Sequence, residues 1–428
     1  MLMLFVDRLL LAKYSQEAFN AAVSASTLGW ALVFGWLVLT NISEVFVAQY
    51  NGAQKYEKIG SPVWQMMWLA LASVLFFVPL AIWGGQLFFP QSEYSDLQRE
   101  YFRWMIIFGP SYPIYGALTG FFVGRGKVVI ITILSIITNI INAILDWILI
   151  FGIEGWVPSY GVAGAAIATS GSQIFQAMIL AFVFLKPANR LKYQTWDFKF
   201  NWSLFKKCFK VGFPVALFAT FEIMGWAIFY MIMTWASPKH ITIAGISQSI
   251  IILFYFFGEG ISKGIATISG NYIGAQKLHY ISRSVMSGVK LHLLFFLFLF
   301  VGFYFFADDL AGQFLNMPEA EITPAFLKSL QICVNFSILY LLFEGLRFVF
   351  MGVLTASGDT FFLLIGGAIS IWLFLVIPVY IAVIKFQANI ETASLISVFF
   401  AIGAFLIYYW RYTQGKWKTL QVAEAHVE

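Results

Sequence analysis

This sequence has little charge. Only 11% of its 428 residues are Asp, Glu, Lys or Arg, while 60% are hydrophobic and 19% aromatic, a balance that no soluble domain with a wetted surface carries. Cysteine is scarcer still: Cys208 and Cys333 stand alone and match no metal spacing, so ordinary helix positions fit them better than a disulfide. Of the four histidines, His240 and His279 sit in loops, His426 in the tail and only His292 near an apolar stretch, which leaves no legible metal site or histidine general base. A phosphate loop is missing as well. "GFFVGRGK" from Gly120 looks like one, but five residues separate Gly120 from Gly126, and Val128 stands where Ser or Thr would bind magnesium. A glycine-rich cytoplasmic turn is the expectation there. The chain thus encodes no ATP motor, and no enzyme, resident metal or cofactor is expected.

What is present is apolar length. Twelve mainly apolar stretches recur between residues 2 and 412 with short polar breaks, and all but the first are long enough for a hydrocarbon core of about 30 Å. Only twelve residues precede Lys13, or about 18 Å of helix, so a missed start codon or a truncation is expected. No cleavable signal peptide is read, because Asp7 and Arg8 interrupt the first stretch.

Lys and Arg give the orientation. The richest loop holds Lys186, Arg190, Lys192, Lys199, Lys206, Lys207 and Lys210, and is read as cytoplasmic together with the loops of Lys55, Arg125 and Lys277 and the tail of Arg411. Opposite loops carry Glu93, Asp96, Asp308, Asp309, Glu319 and Glu321. The net charge of +5 is therefore an orientation signal, and no nucleic-acid partner is expected.

The chain also repeats itself. "YNGAQK" at Tyr50 returns as "YIGAQK" at Tyr272, and "GFFVGRGK" at Gly120 is loosely echoed by "GVLTASGD" at Gly352. Two six-helix lobes follow, in an all-α membrane protein. Six crossings return the chain to its starting side, so the lobes are expected to be related by a pseudo-two-fold axis along the membrane normal. The boundaries are residues 1–186 for the N-terminal lobe, 187–203 for a basic linker, 204–412 for the C-terminal lobe and 413–428 for a tail.

Acids inside such spans are the candidate functional groups. Ser135, Asn139, Asn142 and Asp146 recur at helical spacing and predict one polar stripe among Ile, Leu and Ala. An Asp at the centre of an inserted helix costs about 2.5 to 3.5 kcal/mol, and such groups mark ion or proton pathways. Glu222 has no basic residue within four positions, whereas Arg347 follows Glu344 by three and Lys263 follows Glu259 by four. Glu44 is open to solvation, a loop contact or substrate. Asn139, Trp226 and Tyr230 are candidates to line a substrate cavity, the last two sharing a helix face with Glu222.

"NAILDWILIFG" followed by "GVAGAAIAT" resembles the fifth and sixth helices of the multidrug and toxic compound extrusion family. "FVDRLLLA" resembles its first helix, the twin "GAQK" motifs its second and eighth, "GFPVALFATFE" its seventh and "GVLTASGDT" the end of its tenth. The resemblance implies a Na⁺- or H⁺-coupled antiporter that exports organic, often cationic amphiphiles by alternating access from a bacterial-type inner membrane. The chain would then be a monomer, with linker and C-terminus cytoplasmic. It further implies a cation site at Asp7, Asn142, Asp146 and Thr169, with Glu222 and Glu344 as coupling acids in the second lobe. Two carboxylates, an amide and a hydroxyl are hard oxygen donors that suit Na⁺, and paired carboxylates also share a proton. Arg8, next to Asp7, would disfavour a cation if its charge lay near. The rivals are a lipid or lipid-linked precursor flippase of related fold, and a membrane-embedded transferase, for which no catalytic set is visible.

Overall fold

In a computed structural model the described residues are 2–91, 94–314, 323–420 and 422, with side chains at 2, 4, 5, 253 and 303–314 excepted. Glu93, Asp308, Asp309, Glu319, Glu321 and His426 lie outside the described side chains. Among the described residues the only β pairing is a bridge between Ile153 and Val157. Helices dominate because each apolar segment must satisfy its backbone groups internally when water is excluded.

Among the described residues twelve longer helices follow one another, with a short seven-residue one, Pro187–Tyr193, in the linker. They are α1 (Leu2–Tyr14), α2 (Gln16–Gly52), α3 (Tyr56–Phe88), α4 (Ser95–Gly124), α5 (Val128–Phe151), α6 (Gly161–Phe184), α7 (Trp202–Ala236), α8 (Pro238–Gly274), α9 (His279–Phe314), α10 (Pro324–Ser357), α11 (Thr360–Lys385) and α12 (Ile390–Thr413). Among the described residues eleven helices are long and apolar enough to cross a membrane, and α1, with 13 residues, is not one of them. The chain forms two compact units, Met1–Ala216 and Leu217–Glu428, which part within α7. Cys208 and Cys333 are both buried and free.

The repeated motifs end their helices identically. After Gly52, Gln54 turns left-handed at φ 58°, and after Gly274, Gln276 does so at φ 56°. Lys55 N–H then donates to Tyr50 O and Lys277 N–H to Tyr272 O, each at 2.9 Å, and Gln54 and Gln276 donate to Asn51 O and Ile273 O. This double bond pattern closes the last carbonyls of a helix. The looser echo behaves the same way with glycine at the turn: Gly126 has φ 70° and Gly358 φ 84°, and Lys127 and Asp359 donate back to Phe122 O and Leu354 O.

Gly120 is not part of that turn, contrary to the glycine-rich loop expected from the sequence. It lies inside α4 with Gly116 and Gly124, spaced by four on one face. A Cβ on Gly120 would meet Glu44 N at 2.6 Å, one on Gly124 would meet Glu44 O at 2.6 Å, and one on Gly116 would meet Leu37 O at 2.8 Å. The three glycines therefore let α4 lie directly on the backbone of α2. Glu44 is 5% exposed at this junction, so of the three environments open to it in sequence, free solvation is excluded.

The basic linker is strapped to the first unit. Trp64 Nε1 donates to Thr195 O and Trp68 Nε1 to Phe198 O, while Gln65 both donates to Lys199 O and accepts from Asn201 N. Arg125 adds a cation–π contact to Tyr193 at 4.4 Å. In the second unit, α11 widens to π geometry at Trp372–Val376 and Tyr380–Lys385, on either side of Pro378, whose missing N–H breaks the regular ladder.

Candidate functional site

The first unit gathers four of the sequence candidates in its interior. On α5 the most buried line is Leu134, Thr138, Asn142, Asp146 and Ile150. Asn142 and Asp146 have no exposed surface. Ser135 and Asn139 each follow a buried member of this line, Leu134 and Thr138, by one residue and are only half-buried. Asn139 is half-buried and donates to Ser135 O of its own helix at 2.6 Å, and the Ser135 hydroxyl accepts from Gln176 on α6. The predicted four-residue stripe is thus two interior residues and two flanking ones.

Close packing brings α6 to this line. A Cβ on Gly164 would lie 2.5 Å from Leu149 O, so the small residues of "GVAGAAIAT" permit the approach. Gly152, at φ 79°, turns the chain out of α5, and Tyr160 N–H bonds back to Leu149 O at 2.9 Å. Thr169 then faces Asn142. The short α1 is pinned beside both helices at its far end, where Tyr14 packs edge-on to Phe151 and lies against Gly161.

The contacts form a chain across three helices. Asn142 Nδ2 donates to Thr169 Oγ1 at 3.2 Å, and Thr169 Oγ1 donates to Asp7 Oδ2 at 2.6 Å. The carboxyl of Asp146 adjoins that of Asp7. Asp7 Oδ1, Asn142 Oδ1 and both carboxyl oxygens of Asp146 are buried without a well-formed hydrogen bond, the two carboxyls and the Asn142 amide lying side by side. Acceptors without donors are costly in an apolar interior. Arg8 does not supply one to Asp7, since its guanidinium turns to α2 and donates to Ser26 Oγ at 3.3 Å. Among the described residues no group of three or more His, Cys, Asp or Glu converges, which sets this cluster of two acids, an amide and a hydroxyl apart from a transition-metal site.

The second unit arranges its acids differently. Arg347 on α10 donates from Nε to Glu344 Oε2 at 2.9 Å and from Nη2 to both Glu344 Oε1 and Glu222 Oε1, the latter at 2.7 Å. Arg347 and Glu344 side chains are 2% and 1% exposed, and Glu222 is 16% exposed. Glu222 looked free of bases in sequence because its partner is 125 positions away. Trp226 and Tyr230 join an aromatic cluster with Phe229, Tyr340 and Phe400 on the second-unit core. His292 lies on the bare face of Gly345, its Nε2–H donating to Leu342 O at 2.9 Å and its Nδ1 buried without a partner.

Sequence reading missed Arg347 as a bridge, and it missed the buried polar face of α6 formed by Ser170, Ser172, Gln173 and Gln176. The signal for the latter was present in the run "TSGSQIFQ", whose polar residues extend the Thr169 face.

The MatE family model matches residues 1–148 and 214–381. The probable multidrug resistance protein NorM of Thermotoga maritima is 24% identical over 425 residues, covering 98% of this chain and 89% of that protein. Multidrug resistance protein MdtK of Photorhabdus laumondii is 25% identical over 352 residues, covering 79% and 74%. Among solved structures, a MATE crystallised in the bent conformation superposes with a TM-score of 0.83 at 17% identity, over 98% of this chain and 92% of that one.

Proposed function

Because the chain belongs to the MatE family, whose model spans both of its units, we propose that it is a multi-pass inner-membrane antiporter. It exports organic, cationic amphiphiles in exchange for Na⁺ or H⁺ taken up at Asp7, Asn142, Asp146 and Thr169. The observation that supports this reading is the pair of adjoining buried carboxyls, of Asp7 and Asp146, whose oxygens and that of Asn142 are not fully satisfied by hydrogen bonds.

The chemistry follows from charge. Two ionised carboxylates close together in an apolar interior repel each other and are poorly solvated, so the empty cluster favours a state open to water. A Na⁺ or a proton neutralises part of that charge and favours a state in which α1, α5 and α6 close around it. Asn142 and Thr169 fix the geometry: the Thr169 hydroxyl holds one oxygen of Asp7 and leaves the other for the ion. Ion occupancy then shifts an alternating-access equilibrium by its differential affinity for the two states. Trp226 and Tyr230 offer π faces to an organic cation in the second unit, and Asn139 offers a half-buried polar group in the first. Linker and tail lie on the cytoplasmic side, where their Lys and Arg residues belong.

Efflux of a fluorescent organic cation from proteoliposomes, under separately imposed Na⁺ and pH gradients, tests the proposal. One gradient should accelerate efflux by the wild type and not by Asp146→Asn. Acceleration that survives in Asp146→Asn would sink the site, and movement of a fluorescent lipid in place of the organic cation would favour a flippase.

A further inference from the structure

The two units each hold a pair of buried acids, but only one pair is already filled. In the first unit, Asp7 and Asp146 adjoin with no Lys or Arg bonded to them, the neighbouring Arg8 having turned to Ser26. In the second unit, Glu222 from α7 and Glu344 from α10 converge on one guanidinium, which forks onto both oxygens of Glu344 and reaches Glu222 with the same Nη2. The rings of Phe348, Tyr408 and Phe218 lie 5.1, 5.5 and 5.8 Å from that guanidinium and wall it in. A guanidinium does not lose its proton in a protein, and its planar fork matches a carboxylate better than any monatomic ion does. It is also covalently tied to α10, so it cannot exchange with the bulk.

We infer that Arg347 is a tethered cation that occupies the carboxylate pair of the second unit and reserves it against free cations, so that exchangeable cations bind in the first unit alone. Removing the guanidinium converts Glu222 and Glu344 into a site for a monovalent cation. Glu222 and Glu344 keep their carboxyl oxygens, and Tyr255 lines the same pocket as Glu344. Oxygen donors therefore remain in place when the arginine is gone. This inference rests on the first-unit reading above, since it assigns coupling to that unit by exclusion of the other.

The test is a count of bound ions on purified, membrane-reconstituted protein, with ²²Na⁺ at pH 8 as probe and proton uptake between pH 8 and pH 5.5 measured in parallel. Arg347→Gln should bind one more Na⁺ than the wild type, and the extra ion should persist in Asp146→Asn/Arg347→Gln. Since Arg347→Gln leaves two buried acids uncompensated and can fail to fold, Glu222→Gln supplies an independent arm. It keeps the Glu344–Arg347 pair, and its Na⁺ and proton counts should equal those of the wild type. A folded Arg347→Gln protein that gains no Na⁺ would overturn the inference, as would a Glu222→Gln protein that loses one Na⁺ or one proton. Failure of the first-unit reading is distinguishable, because it shows as unchanged counts in Asp146→Asn alone.

Discussion

Thr169 donates its hydroxyl to Asp7 Oδ2 at 2.6 Å while the other oxygen of Asp7 is buried without a well-formed hydrogen bond. The relationship divides the Asp7 carboxyl into a positioned oxygen and an available one. Thr169→Val keeps the shape and removes the donor, leaving a second unsatisfied oxygen at a cost of about 1 to 3 kcal/mol. Ion affinity measured by gradient-driven efflux should fall by about 5- to 150-fold at that cost. Thr169→Ser retains the hydroxyl and should stay close to wild type; equal loss in both variants would mean that the methyl group, not the donor, matters.

The contact of α4 with α2 through Gly120 and Gly124 leaves no room for a methyl group, since the obstacles are the Ser43 hydroxyl and Glu44 N at Gly120 and Glu44 O at Gly124. Gly120→Ala and Gly124→Ala should each destabilise the purified protein by about 1 to 3 kcal/mol. Gly171 on α6 has nothing within 4 Å of its would-be Cβ, so Gly171→Ala should be neutral or stabilising by up to about 1 kcal/mol. Thermal unfolding midpoints in one detergent decide between these; a uniform response of all three would contradict the packing.

Gln54 and Gln276 both sit in the left-handed region, at φ 58° and 56°, a conformation that costs a residue with a side chain about 1 to 2 kcal/mol. Gln54→Gly and Gln276→Gly should each raise thermal stability, offset in part by the greater freedom of glycine in the unfolded chain. A fall in midpoint for either would show that the glutamine side chain holds more than its own backbone.

Gln65 fixes the linker with two hydrogen bonds, to Lys199 O at 3.1 Å and from Asn201 N at 2.9 Å. Gln65→Leu should release the strap and speed tryptic cleavage at Arg190, Lys192 and Lys199 several-fold, with little change in global unfolding. Unchanged cleavage would indicate that Trp64 and Trp68 suffice to hold the segment.

Much of this was legible in the residues. The twin "GAQK" runs announced a duplicated helix ending because the same four residues after a shared tyrosine impose the same left-handed turn and the same back-bonds. The meeting of Asn142 with Asp146 followed from four-residue spacing on one helix, and the small residues before Thr169 signalled close approach. What escaped were contacts between distant segments. Nothing local reveals that Arg347 serves Glu222 as well as Glu344, or that Trp64, Gln65 and Trp68 bind a linker some 130 positions on. Gly120 was misread for the opposite reason: glycine marks both turns and tight helix contacts, and only the neighbouring backbone of α2 separates the two.

The central claim is that ion and organic cation exchange through the Asp7–Asp146 cluster. Antiport is reciprocal, so an imposed gradient of organic cation must drive the coupling ion the other way. The direct measurement is Na⁺ and proton flux into proteoliposomes, reported by ion-sensitive dyes inside, after an outward gradient of organic cation is applied. The account predicts influx of one of the two ions with wild-type protein and none with Asp146→Asn. Equal influx with both proteins would contradict it.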